Sequence, residues 1–143
     1  MAEQSTGRVV LMAIRPEFAE QILAGTKTVE FRKRRLASDV SDVVLYASAP
    51  VSAVVGSFVV ARQETEHPKV LWDRFSRVGG IEHLRYVEYF GERELGTGIV
   101  VGAVRRLAAP MNLGDLGISH APQSFLYLTS DVSRTVLGAM VLV

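Results

Sequence analysis

The chain contains no cysteine, which excludes a disulfide framework, a thiol nucleophile and any cysteine-ligated metal. Lysine is scarce: only Lys27, Lys33 and Lys69 occur, so thirteen of the sixteen basic residues are arginine. Long hydrophobic runs are also missing. The longest apolar stretch near the C-terminus, Val136 to Val143, falls far short of the roughly 20 residues a spanning helix needs. Residues 1–7 lack the charged-then-apolar profile of a signal peptide, and the expectation is a cytoplasmic protein with no membrane partner. There is no P-loop, dinucleotide-binding glycine fingerprint, serine nucleophile elbow or zinc-protease motif, and no cofactor is expected. Without repeats, low-complexity tracts or a linker, the 143 residues read as one domain over 1–143, with its core at about 9–128 and a C-terminal extension at 129–143. The 48% hydrophobic and 22% charged shares are those of a globular chain with a real core.

The net charge of +1 says little, but its distribution is uneven. Residues 8–35 hold seven bases against three acids, whereas residues 36–143 hold nine bases against eleven acids. Positive charge is concentrated in one short segment, which favours an anionic partner such as nucleic acid or is a solvated basic face.

The apolar run Val9 to Ile14 has the length of a buried strand. Pro16 suits a first helical turn, Glu17 and Glu20 suit the positive end of a helix dipole, and Phe18, Ile22 and Leu23 make an apolar face, so a short helix is predicted from Pro16 to Ala24. Thr28 to Arg34 alternates as a strand, with Thr28, Glu30, Arg32 and Arg34 on one face and Val29 and Phe31 on the other. Further strands are predicted at 43–47, 51–61, 97–107 and 124–128, with Pro110 ending the third of these and Gly56 marking a bulge or close approach. Leu71, Trp72, Phe75 and Val78 indicate one helix, and the three-residue repeat of Ile81, Leu84, Val87 and Phe90 a second. The segment 136–143 reads equally as strand or helix. So many strands with few intervening helices point to an α+β fold, a mostly antiparallel barrel or curled sheet with flanking helices.

The densest polar cluster runs from Gly25 to Lys33. Glu30 and Arg32 share a strand face, and Lys27 lies in the preceding turn, an arrangement that binds a polar, partly anionic ligand or forms a plain surface salt bridge. Gln123 and Ser124, after Pro122, offer groups suited to a base edge. Glu64, Glu66 and His67 form a local acid–imidazole group, but too few ligands for a metal centre, and no metal is expected.

The run AIRPEFAEQILAGTKTVEFRKR resembles the opening of ASCH domains, within the PUA-like superfamily. Gly25, Lys27, Glu30 and Arg32 match the family's Gly-x-Lys-x-x-Glu-x-Arg pattern. WDRFSRVGG at 72–80, Val87 to Phe90, the strand 98–104 and Pro122-Gln123-Ser124-Phe125 resemble a branch that carries a Pro-Gln-Ser-Phe element near its C-terminus. The resemblance implies a PUA-like pseudo-barrel of mostly antiparallel strands with flanking helices. It also implies a cleft lined by the Lys/Glu/Arg motif that binds RNA or a modified nucleoside. Arg15, Lys27, Arg32, Lys33 and Arg34 would then meet phosphates. Glu30 would accept from a base edge or orient Arg32, and Tyr89, Phe90 or Tyr127 would stack on bases. Some relatives are enzymes. In one branch a lysine and a threonine three residues later hydrolyse N4-acetylated cytidine; here Lys27 is followed by Glu30, so the hydroxyl is absent from its place. Another relative is a ribonuclease, in which case Lys27 and Glu30 would be the catalytic acid and base. A third reading is a protein-binding adaptor with a vestigial cleft.

Overall fold

The computed structural model describes residues 7–143. The elements follow in the order β1 (Arg8–Ile14), α1 (Pro16–Ala24), β2 (Val29–Arg32), β3 (Val40–Ala47), β4 (Ala53–Glu66), α2 (Pro68–Phe75), α3 (His83–Phe90), β5 (Gly96–Met111), a 3-10 turn (Leu113–Leu116), β6 (Phe125–Tyr127), α4 (Ser130–Gly138) and β7 (Met140–Leu142). The strands form one sheet in the order β2-β5-β4-β3-β1-β6, with β7 paired to β5. Among the described residues only β1 and β3 run parallel; the other pairings are antiparallel.

Three register shifts in the long β4–β5 ladder curl the sheet into a half-barrel, since each bulge bends the strand and increases its twist. Gly56 sits at one of them. A Cβ there would lie 2.5 Å from the Arg105 carbonyl and 2.6 Å from Leu23 of α1, so this is the close approach its position in the strand suggests. Pro110 does not end β5, which continues to Met111. β4 pairs with β5 at Arg106 and next at Met111; Pro110 falls between, where the ladder asks nothing of its missing N–H.

Apolar residues fill both faces of the sheet. Val10 and Met12 of β1 pack with Ile22, Leu23, Leu45 and Phe58 beneath α1, while Val9 and Leu11 pack with Val44, Leu107 and Val136 beneath α4. A strand buried on both sides reads as a continuous apolar run, which is why residues 9–14 do not alternate. The segment left open between strand and helix is both. Thr129 caps α4 through a hydrogen bond from the Val132 N–H, and Met140 to Leu142 then pair with Leu107 to Arg105. No helix among the described residues is long and apolar enough to cross a membrane.

A third cluster joins Val29 and Phe31 of β2 to Leu71, Phe75, Tyr86 and Phe90 of α2 and α3. It agrees with the three-residue repeat in the sequence at Phe90, which is buried, and differs elsewhere: Tyr86 is buried, whereas Leu84 and Val87 are exposed. The Tyr86 hydroxyl donates to the Pro68 carbonyl at 2.6 Å and ties the two helices together. Burial pushes this phenol from 10.0 up to about 12. Its contribution to stability is present below pH 10, where both states keep the proton, and is lost as pH rises from 10 toward 12, where the unfolded chain ionises first. Urea midpoints measured between pH 9 and 11 should fall steeply for the wild type and less steeply for Tyr86→Phe; equal slopes would show that another group carries the alkaline loss.

Candidate functional site

The site is built where α1 ends and β2 begins. Gly25 closes α1, donating its N–H to the Gln21 and Ile22 carbonyls, and the following amides of Thr26 and Lys27 bond to the same Gln21 carbonyl. This turn is pinned to the α2–α3 connection by the Thr28 N–H, which donates to the Val78 carbonyl at 2.9 Å. The Lys27 side chain consequently runs inward. Its ammonium lies 3.2 Å from Glu30 Oε1 and donates to the Gly79 carbonyl.

Strand alternation brings Glu30 and Arg32 to the same face. Arg32 Nε and Nη2 reach Glu30 Oε2 at 2.9 and 2.8 Å. The guanidinium also donates to the Ala13 carbonyl of β1 at 2.9 Å and to Ser124 Oγ at 3.2 Å. Glu30 thus bridges two cations and orients Arg32. The side chains are buried, 2% exposed for Lys27, 7% for Glu30 and 13% for Arg32. Burial pushes the Lys27 ammonium below the ordinary lysine value, against the opposing pull of Glu30.

Gly80 makes room for this arrangement. It has φ +67°, and a Cβ there would lie 2.0 Å from Gln21 Oε1 and 3.3 Å from Lys27 Cδ. A side chain at this position would be both strained and in the way of the lysine stem.

Above the triad opens a cleft of about 440 Å³, within the range of small-ligand sites. Lys27, Glu30 and Arg32 line it together with Phe18 and Arg15 from the start of α1, Phe31, and Ile81, Arg85, Glu88 and Tyr89 on the α3 side. Four cations against two carboxylates leave it positive. Lys27 Nζ lies 5.1 Å from the Phe18 ring centroid and Arg85 Cζ 5.4 Å, so this ring faces two cations. Burial raises the Tyr89 phenol.

Of the residues singled out from sequence, Arg15, Lys27, Glu30 and Arg32 meet at the cleft. Ser124 joins through Arg32; Gln123 is exposed beyond the lining. Lys33 and Arg34 lie outside the cleft and are exposed, because β2 ends at Arg32 and the alternation ends with it. Among the stacking candidates Tyr89 lines the cleft. Phe90 is core, and Tyr127 lies under Arg8 and bonds the Ala37 amide. The Glu64 and Glu66 carboxylates pair with Arg62 and Arg74, His67 caps α2, and no metal-ligand cluster occurs among the described residues. The reading from sequence missed Phe18, Arg85 and Glu88. Arg85, Glu88 and Tyr89 are spaced i, i+3, i+4, one helical face, but only the packing of α3 shows that this face meets the cleft.

Comparison with known proteins agrees with this architecture. The family model described as the ASCH domain matches residues 12–97. An ASCH domain-containing ribonuclease from Zymomonas mobilis is 29% identical over 133 residues, spanning 90% of this chain and 89% of its own length. The crystal structure of ASCH from Zymomonas mobilis superposes with a TM-score of 0.83 at 26% identity, covering 93% of this chain and 96% of that one. The structure of a serine-to-alanine variant of the Zymomonas mobilis protein gives 0.85 at 25% identity, covering 96% and 100%. The α+β expectation, a PUA-like pseudo-barrel of mostly antiparallel strands with flanking helices, holds.

Proposed function

The chain belongs to the ASCH domain family, and on that premise we propose that its cleft binds one unpaired nucleotide of RNA. The observation that carries this reading is the pairing of aromatic walls, Phe18 and Tyr89, with four cations in a cleft of nucleotide-like size. Tyr89 presents a ring on which a base stacks, worth about 1–3 kcal/mol per base. Arg15 and Arg85, at the rim, take the phosphate, which fixes position without reading sequence. Arg32 is held by Glu30 and by two other parts of the chain, so its guanidinium needs no reorganisation to meet a ligand. The ribonuclease relative supports RNA as the nucleic acid.

The test compares single-stranded RNA binding by wild type and by the Arg15→Ala, Arg85→Ala double variant across salt concentrations. Affinity should fall with salt, and the double variant should flatten the slope of log K against log salt by about 1.4, two phosphate contacts at about 0.7 each. Wild type and variant with the same affinity and slope would place the binding elsewhere.

RNA cleavage in the same cleft is a second reading, favoured by one observation: the Lys27 ammonium, with its lowered pKa, sits 3.2 Å from a carboxylate at the cleft floor. A lysine so placed can hand its proton to a leaving oxygen, with Glu30 holding the ammonium in position. Amide hydrolysis is less well supported. Among the described residues lining the cleft only Tyr89 carries a hydroxyl, and Thr28 is not one of them.

A further inference from the structure

We propose that the loop after β2 is a second subsite, a basic track that takes the backbone phosphates next to the nucleotide held in the cleft, so that the ligand is an extended single strand of RNA. The inference rests on the reading of the cleft given above. Lys33, Arg34 and Arg35 follow directly on Arg32, and all three are exposed. Among the described residues they make no ion pair with an acidic residue, whereas Arg8, Arg62, Arg74, Arg85, Arg106 and Arg134 all do.

The track is continuous with the cleft through one side chain. Lys33 Nζ stands 4.9 Å from the centroid of the Tyr89 ring, and Tyr89 is also a wall of the cleft. A base stacked on Tyr89 therefore has a cation beside the same ring, placed for the phosphate of that nucleotide or its neighbour. Arg93 donates to the Lys33 carbonyl at 3.4 Å and holds the loop to the end of α3. Glu92 and Glu94 flank Arg93 in the chain, so the surplus positive charge on this side is carried by residues 33–35. A cation beside an aromatic platform, followed in the chain by two more exposed cations, is what a sequence-tolerant single-strand site requires: charge along the backbone and a ring for the base. A free nucleoside or mononucleotide would leave the track unused.

The experiment measures anisotropy of labelled oligouridylates of two and eight nucleotides, and of an eight-base-pair RNA duplex, with the full chain. The wild type should bind the octanucleotide roughly tenfold tighter than the dinucleotide at about 0.1 M salt, because only the longer strand adds phosphate contacts. The variant carrying Lys33→Ala, Arg34→Ala and Arg35→Ala should lose that gain, and its slope of log K against log salt should be smaller by about 2. These side chains are exposed, so folding is not at stake. Equal affinity of the wild type for both lengths, retention of the length gain by the triple variant, or a duplex that binds as tightly as the single strand would each overturn the track while leaving the cleft reading intact. An octanucleotide bound through residues 33–35 with no measurable dinucleotide binding would instead strike the cleft reading, and the track as an extension of it.

Discussion

Replacing Glu30 by alanine is expected to cost the fold about 3–5 kcal/mol, the loss that follows when one partner of a buried ion pair is removed. The magnitude follows from what stays behind. Lys27 and Arg32 would keep their charges in a site where their side chains are 2% and 13% exposed, and among the described residues Glu30 is the only carboxylate within ion-pair distance of either. Arg32 retains the Ala13 carbonyl and Ser124 Oγ, and Lys27 retains the Gly79 carbonyl, but neutral acceptors do not offset an uncompensated cation. Glu30→Gln keeps the shape and one acceptor oxygen and should fall between alanine and wild type. Urea midpoints at constant m-value report the difference. A loss below about 1 kcal/mol for the alanine variant, the worth of an exposed pair, would mean that water reaches both cations and that the triad is a surface feature.

How much of this was legible in the sequence depends on how local each contact is. Glu30 and Arg32 pair because a strand has a period of two, and that pairing is visible in four consecutive letters. The α1 stop at Gly25 and the double-buried run of β1 are local in the same sense. The partners that make the triad a floor are not local. Ser124 lies 92 residues from Arg32 and Gly79 lies 52 from Lys27, and no spacing rule connects them. The helix α3 shows a second limit. Its three-residue apolar repeat marks a helix correctly and places Phe90 in the core, but it also takes in Leu84 and Val87, which are exposed, and omits Tyr86, whose larger ring wins the core instead. That choice turns Arg85, Glu88 and Tyr89 toward the cleft, where no motif would place them. Strand alternation fails the other way at Arg34: β2 ends at Arg32, so the period of two does not carry Arg34 onto the face of Glu30 and Arg32.

Lys27→Met should do to function what Glu30→Ala does to stability, and the two substitutions together separate the roles of one ion pair. Methionine follows the lysine stem past Phe18 and Phe31, whose rings already lie within 6 Å of the ammonium. Glu30 keeps Arg32, so no charge is orphaned. The Gly79 carbonyl loses its donor, at about 1–3 kcal/mol, and this is offset by removing the penalty of burying an ammonium. Stability at neutral pH is expected to change by no more than about 1 kcal/mol.

The pH dependence carries the signature. Because the folded-state value of Lys27 lies below 10.5, the unfolded chain holds that proton more tightly, and the burial penalty is fully present at neutral pH. It fades as pH rises through the folded value toward 10.5. The wild type should therefore gain stability relative to Lys27→Met across that alkaline window; the loss carried by Tyr86 is common to both and cancels in the difference. On the cleavage reading, RNA turnover by Lys27→Met should fall by about 10²–10⁴, the range for a lost proton transfer, while binding of intact RNA changes far less. A variant that binds and cleaves RNA as the wild type does would remove Lys27 from the chemistry. Full cleavage with the alkaline stability signature intact would leave the ammonium a structural part of the cleft floor and nothing more.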